Sequence, residues 1–208
     1  MSVTTASPAA PKMGWPFWLM LAGSLLIALA SVRYLFPGAP GGAPGIMANA
    51  FTKYGALTVH AGFAIVALVI GPFQFLKSLR ARRPRLHRWM GRTYVLACQI
   101  AGAAGLLLAF GATTGLVSTA GFGLLAVIWI YTTSKAWTSA MNRRFDEHRR
   151  WMIRSFALTF AAVTLRLYLP FAFFSPFGYD DTYRAISFLC WVPNLAFAEV
   201  FVRVRAKA

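Results

Sequence analysis

The sequence predicts an all-α fold, a polytopic bundle of six transmembrane helices, and three observations predict it. Apolar residues make up 58% of the 208 and charged residues only 12%, where soluble domains average about 25% charged. Six apolar runs are each about 20 residues long, the length that crosses a bilayer core as a helix. The gaps between them carry either Pro and Gly or dense basic charge, as loops do. The net charge of +16 does not point to nucleic acid, because the basic residues lie in those gaps and no separate soluble domain with a basic face is left to carry them.

Taken in order, residues 1–14 read as a disordered tail, since Ser2 to Pro11 is rich in Ala, Ser, Thr and Pro. The first span runs from Trp15 to Phe36. Lys12, the apolar run and Ala28-Leu29-Ala30 resemble a cleaved signal, but the run continues to Phe36, so an uncleaved anchor is expected. Pro37 to Gly45 alternates Pro with Gly and reads as an external linker. The remaining spans are Tyr54 to Leu76, Arg92 to Gly111, Leu116 to Trp137, Trp151 to Phe173 and Arg184 to Val202. Gly111 to Gly115 leaves room only for a tight hairpin between the third and fourth. Pro72, Pro170 and Pro193 are expected to break or kink their helices. Residues 15–208 thus form one domain.

The basic residues set the orientation. Seventeen of the 21 fall on one side: Lys12, seven from Lys77 to Arg92, six from Lys135 to Arg154, and three from Arg203 to Lys207. By the positive-inside rule both termini are cytoplasmic. The expected location is the bacterial inner membrane, with the lipid bilayer as the principal partner.

The third and fifth spans begin on near-copies of one phrase, Trp89-Met90-Gly91-Arg92-Thr93-Tyr94 and Trp151-Met152-Ile153-Arg154-Ser155-Phe156. Both helices run outward, so the phrase suggests a duplicated hairpin over residues 86–137 and 147–203. His87 precedes the first Trp by two residues and His148 the second by three, an offset that rotates one ring by about 100° relative to the other. Interfacial anchoring accounts for Trp and Arg at these places, but not for histidine twice. Neutral imidazole ligates iron, so His87 and His148 are candidate axial ligands of a haem b, with Arg92 and Arg154 beside the propionates.

A second constellation lies deeper. His60 is about 9 Å below the outer boundary and Arg166 about 18 Å above the cytoplasmic start of its span, counted at 1.5 Å per residue, so both fall in the outer half. Arginine keeps its proton, and no carboxylate shares that depth. Arg166 and His60 are therefore candidate ligand-binding residues for an exogenous anion, the bland alternative being that Arg166 bonds helix carbonyls or Tyr168. Glu199 is expected to face Lys135, Arg154 or Gln74 near the inner boundary. Cys98 and Cys190 read as buried hydrophobes, and Gly102, Gly105, Gly121 and Gly123 as surfaces for close helix approach.

His60-Ala61-Gly62, Gly71-Pro72-Phe73-Gln74-Phe75, Arg82-Arg83-Pro84-Arg85-Leu86-His87-Arg88-Trp89-Met90-Gly91-Arg92 and His148-Arg149-Arg150-Trp151-Met152-Ile153-Arg154, with Arg166, closely resemble the predicted bacterial membrane proteins catalogued as domain of unknown function 2306. The likeness runs from Tyr54 to Pro170. It implies that His60, His87, His148 and Arg166 mark that family, and it implies no reaction. A looser likeness to small b-type cytochromes rests on histidines near helix ends alone. No P-loop, nucleophile elbow, HExxH or dinucleotide fingerprint occurs. Three function classes remain: a haem-binding or quinone-interacting redox protein, a binder or transporter of a small anionic or lipid-like ligand, and a structural subunit of a membrane complex or homo-oligomer.

Overall fold

The computed structural model describes residues 14–36 and 44–207, without the side chains of 44–54 and 206–207. The tail up to residue 13, the carboxy-terminal residue and most of the expected linker lie outside the described residues.

Every described element is helical. The chain forms α1 (Trp15–Ser31), α2 (Pro44–Ile70), α3 (Lys77–Arg82), α4 (Pro84–Ala109), α5 (Leu116–Met141), α6 (Phe145–Thr159), α7 (Ala161–Phe174), α8 (Tyr179–Leu189) and α9 (Val192–Lys207). Single 3-10 turns extend α1 over Val32–Leu35 and α2 over Pro72–Phe75. Six stretches are long and apolar enough to cross a membrane, with α6 and α7 together making the fifth and α8 and α9 the sixth. This is a multi-pass membrane protein. Below, the basic end is the end where α4 and α6 start, and the far end is the opposite one.

The helices depart from the sequence expectation at identifiable places. α2 already starts at Pro44, so the tail of the expected linker is helical; a proline fits the first helical position because its missing N–H would have no partner there. α4 starts at Pro84 and α6 at Phe145, taking in the Arg-rich segments, since arginine is a good helix former. Asp146 and Glu147 occupy the first turn of α6, where the helix dipole favours acidic side chains. Pro170 does not break the fifth span; it sits inside α7, and the break falls at Phe160. There the Thr159 and Thr164 hydroxyls donate to the carbonyls of Ser155 and Phe160, four residues back, a pattern that bends helices. The sixth span breaks at Cys190 and Trp191, just before Pro193 at the start of α9, as expected from a residue with no N–H to donate.

α4 is the central helix, packed most extensively on α2 and α5, with α5 in turn on α6. Their seams are built from small residues: Ala97, Ala101 and Gly102 of α4, Ala126 and Ala136 of α5, Ala61 and Ala67 of α2. In lipid, apolar burial does not drive helices together, and close van der Waals contact between small side chains does. A Cβ at Gly102 would come within 2.6 Å of Ile130, and one at Gly121 would overlap the Ser187 side chain. The large aliphatic and aromatic side chains face outward: Leu25, Leu29, Leu124 and Val127 along the spans, Phe173, Phe174 and Phe177 at the far end, Trp15 and Trp89 at the basic end. This is the surface lipid requires, with aromatic rings near both boundaries.

Candidate functional site

Toward the far end, α1, α2, α4, α5, α7, α8 and the end of α6 surround a partly open cavity of about 210 Å³, larger than the ~150 Å³ apolar cavity that admits a benzene. Its lining is mostly Ala, Leu, Ile and Gly, with Ser31, Tyr34, His60, Thr159, Trp129 and Arg166 among the polar or aromatic members. His60 and Arg166 thus meet at one cavity.

Each is held by backbone. His60 Nδ1 pairs with the Ala101 carbonyl of α4 at 2.8 Å, which leaves Nε2 as the free ring nitrogen. The ring fits because position 105 is glycine: a Cβ there would stand 2.9 Å from His60 Nδ1. Arg166 donates from Nη1 to the Ala162 carbonyl at 2.9 Å and from Nη2 to Ser31 Oγ at 2.9 Å. Those bonds use two of the five guanidinium donors. The Ala162 bond is the carbonyl pairing weighed for this arginine, and Ser31 rather than Tyr168 is the side-chain partner. Among the described residues no carboxylate pairs with Arg166; Arg33 lies within its electrostatic reach instead. The far end of the bundle therefore holds two cations side by side, an arrangement that draws an anion or an oxygen acceptor.

Below the cavity, in the middle of the bundle, lies a cluster that the sequence reading did not single out. Tyr94 Oη pairs with Ser155 Oγ at 3.0 Å and Thr159 Oγ1 at 2.8 Å. Ser155 pairs with Thr133 Oγ1 at 2.6 Å, and the Trp129 indole N–H donates to Thr159 Oγ1 at 3.0 Å. Tyr94, Ser155 and Thr133 are fully buried. The repeated phrase held a signal for this cluster, since Tyr94 and Ser155 both belong to it. The signal is weak, because the hydroxyls sit at different positions of the two copies and follow residues that anchoring at the interface explains.

The basic end differs. His148 Nδ1 pairs with the Ala136 carbonyl at 2.8 Å, and His87 lies within electrostatic reach of His148, Arg80 and Arg88. His87 Nδ1 and Gln74 Nε2 are buried without a hydrogen-bond partner among the described residues. Gln74 lies against α4, its Oε1 3.2 Å from where a Gly91 Cβ would stand. Glu199 takes a bidentate ion pair from Arg154 through Nε and Nη2, the latter at 3.0 Å, so of its three candidate partners Arg154 is the one used. The Arg154 guanidinium also stacks over Trp151, 4.6 Å from the ring centroid. Arg92 is exposed. Both cysteines are free and buried, and among the described residues no three His, Cys, Asp or Glu side chains converge as a metal cluster.

No curated protein and no solved structure matches the chain. The family model described as "Predicted membrane protein (DUF2306)" matches residues 57–202, running past Pro170 through most of the sixth span and taking in all three histidines, Arg166 and Glu199. The chain, whose larger part is covered by that match, belongs to the DUF2306 family of membrane proteins.

Proposed function

We propose that the protein binds a small amphiphile, an apolar body of about one ring with an anionic or carbonyl-oxygen head, in the far-end cavity of a bacterial inner membrane protein whose basic end is cytoplasmic. The observation that carries this reading is that His60 and Arg166 line one cavity while no carboxylate among the described residues neutralises the arginine. Among the described residues three guanidinium donors and His60 Nε2 remain to meet a head group, and the aliphatic lining meets the body. A carboxylate and a quinone carbonyl share this recognition chemistry.

Binding is tested on the purified full chain in detergent with two probes, decanoate and a decyl-substituted benzoquinone, by the saturable rise in thermal midpoint that a native-state ligand produces. One of them should bind saturably, and Arg166→Gln should weaken it by about tenfold or more, the loss expected of a charge-assisted hydrogen bond. Absence of saturable binding by either probe, or equal binding by the variant, would refute the reading.

A second reading concerns the basic end, where His87 and His148 would be axial ligands of a haem b and the protein a redox component. His148 supports it, because Nδ1 held by the Ala136 carbonyl leaves Nε2 for a metal. The arginines fit less well: Arg154 is already matched by Glu199, which leaves exposed Arg92 for the propionates. A bound haem would supply one-electron chemistry. A Soret band in protein from haem-replete cells, lost in both His87→Ala and His148→Ala, is the expected result; a colourless preparation removes this reading.

A further inference from the structure

We infer that the bundle conducts protons between the far-end cavity and the histidines of the basic end, along the hydroxyl chain Thr159, Tyr94, Ser155, Thr133. Successive oxygens in that chain are 2.8, 3.0 and 2.6 Å apart. Each hydroxyl offers one donor and accepts two bonds, and in all three links either oxygen can be the donor, Thr159 once its hydroxyl turns from the Ser155 carbonyl toward Tyr94. The chain can therefore point toward either end and reverse by rotating its hydroxyls in concert. A proton accepted at one terminus releases another at the opposite terminus, so no hydroxyl oxygen has to ionise and no bond other than O–H is made or broken.

The position of the chain makes it more than packing. Tyr94 is two residues, about 3 Å, past Arg92, where the third span begins, and its fully buried hydroxyl lies inside the span, where polar groups mark ion or proton pathways. Its far terminus, Thr159, lines the cavity together with Trp129 and His60. His87 and the Ala101 carbonyl that holds His60 each lie seven residues from Tyr94 on α4, about 10.5 Å away in opposite directions. The interval toward His87 is where Gln74 lies against α4, and the buried hydrogen-bonding capacity of Gln74 Nε2 and His87 Nδ1 is unspent among the described residues. On α5, Thr133 is three residues, about 4.5 Å, from the carbonyl that holds His148, a step that ordered water spans. Imidazoles thus stand at both ends, His60 at the cavity and His148 with His87 at the basic end, where Arg80 and Arg88 lie within electrostatic reach of His87.

The inference is independent of which amphiphile the cavity takes. It is tested with the full chain in phosphatidylcholine liposomes containing trapped pyranine, with a potassium diffusion potential set by valinomycin and internal pH followed in time. The parent protein should carry protons about tenfold faster than protein-free liposomes, and Tyr94→Phe and Ser155→Ala should each bring the rate down to near the protein-free value, since one missing hydroxyl interrupts the succession. Thr132→Val removes a buried hydroxyl that bonds the Trp129 carbonyl and belongs neither to the chain nor to the cavity lining, and should stay within about twofold of the parent. If Tyr94→Phe does not fold, Ser155→Ala carries the comparison alone. A parent rate equal to that of empty liposomes overturns the inference, as do hydroxyl variants that conduct like the parent, or a Thr132→Val loss as large as theirs, which would point to damaged packing. Decyl-benzoquinone or decanoate binding by the same variants is read separately, so failure of the proton path and failure of the cavity reading are told apart.

Discussion

The two ends of the bundle use the same residue types in opposite ways. At the basic end Arg154 meets a carboxylate from the neighbouring span and sits over the Trp151 ring. At the far end Arg166 meets a serine and a carbonyl, with Arg33 close by. Both guanidiniums are partly buried, so depth does not distinguish them. What differs is that α9 supplies Glu199 to one and no neighbouring element supplies an acid to the other among the described residues. An intramembrane arginine is thus structural or receptive according to its neighbour, a fact no local motif contains.

Four experiments sharpen or break this contrast. The largest expected effect is Arg166→Gln on far-end binding, about tenfold or more, with a smaller loss of thermal midpoint, about 1 kcal/mol for the two neutral partners it leaves. Gly121→Ala comes next: the added methyl overlaps Ser187, and overpacking of this kind costs about 1–3 kcal/mol, to be read as a lowered midpoint in detergent. Glu199→Gln leaves Arg154 unmatched with 17% of its side chain exposed; part-exposure limits the expected destabilisation to about 1 kcal/mol, and amphiphile binding should be unchanged. If Glu199→Gln weakens binding as much as Arg166→Gln, the two ends are not separate. The smallest effect is expected of Tyr94→Phe on stability, about 1 kcal/mol by thermal unfolding, since Ser155 keeps Thr133 and Thr159 keeps the Ser155 carbonyl.

The span count, the hairpin at Gly111 to Gly115 and the shared depth of His60 and Arg166 were legible in the sequence, because length, apolar run and rise per residue determine them. The break at Phe160 was not. It arises from threonine hydroxyls bonding back to their own helix, whereas the visible signal, Pro170, sits inside α7 without breaking it. Nor was Ser31 legible as the partner of Arg166, because it lies 135 residues away along the chain and only packing brings α1 against α7. The repeated phrase was visible, but its halves diverge in the fold: Trp89 is 68% exposed, while Trp151 packs against Tyr131 and Arg154. The polar cluster at the centre takes side chains from α4, α5 and α6, each unremarkable in its own helix.

The glycine at position 105 has a consequence for how this chain can vary. The His60 imidazole occupies the volume into which any side chain at 105 would project, 2.9 Å from Nδ1. The two positions are therefore a coupled pair: in a relative that fills position 105, the ring must turn off the Ala101 carbonyl or residue 60 must become smaller. Gly105→Ala here should evict the imidazole without touching its chemistry, and a second change at position 60 to a compact side chain should restore the packing while leaving the cavity without its histidine.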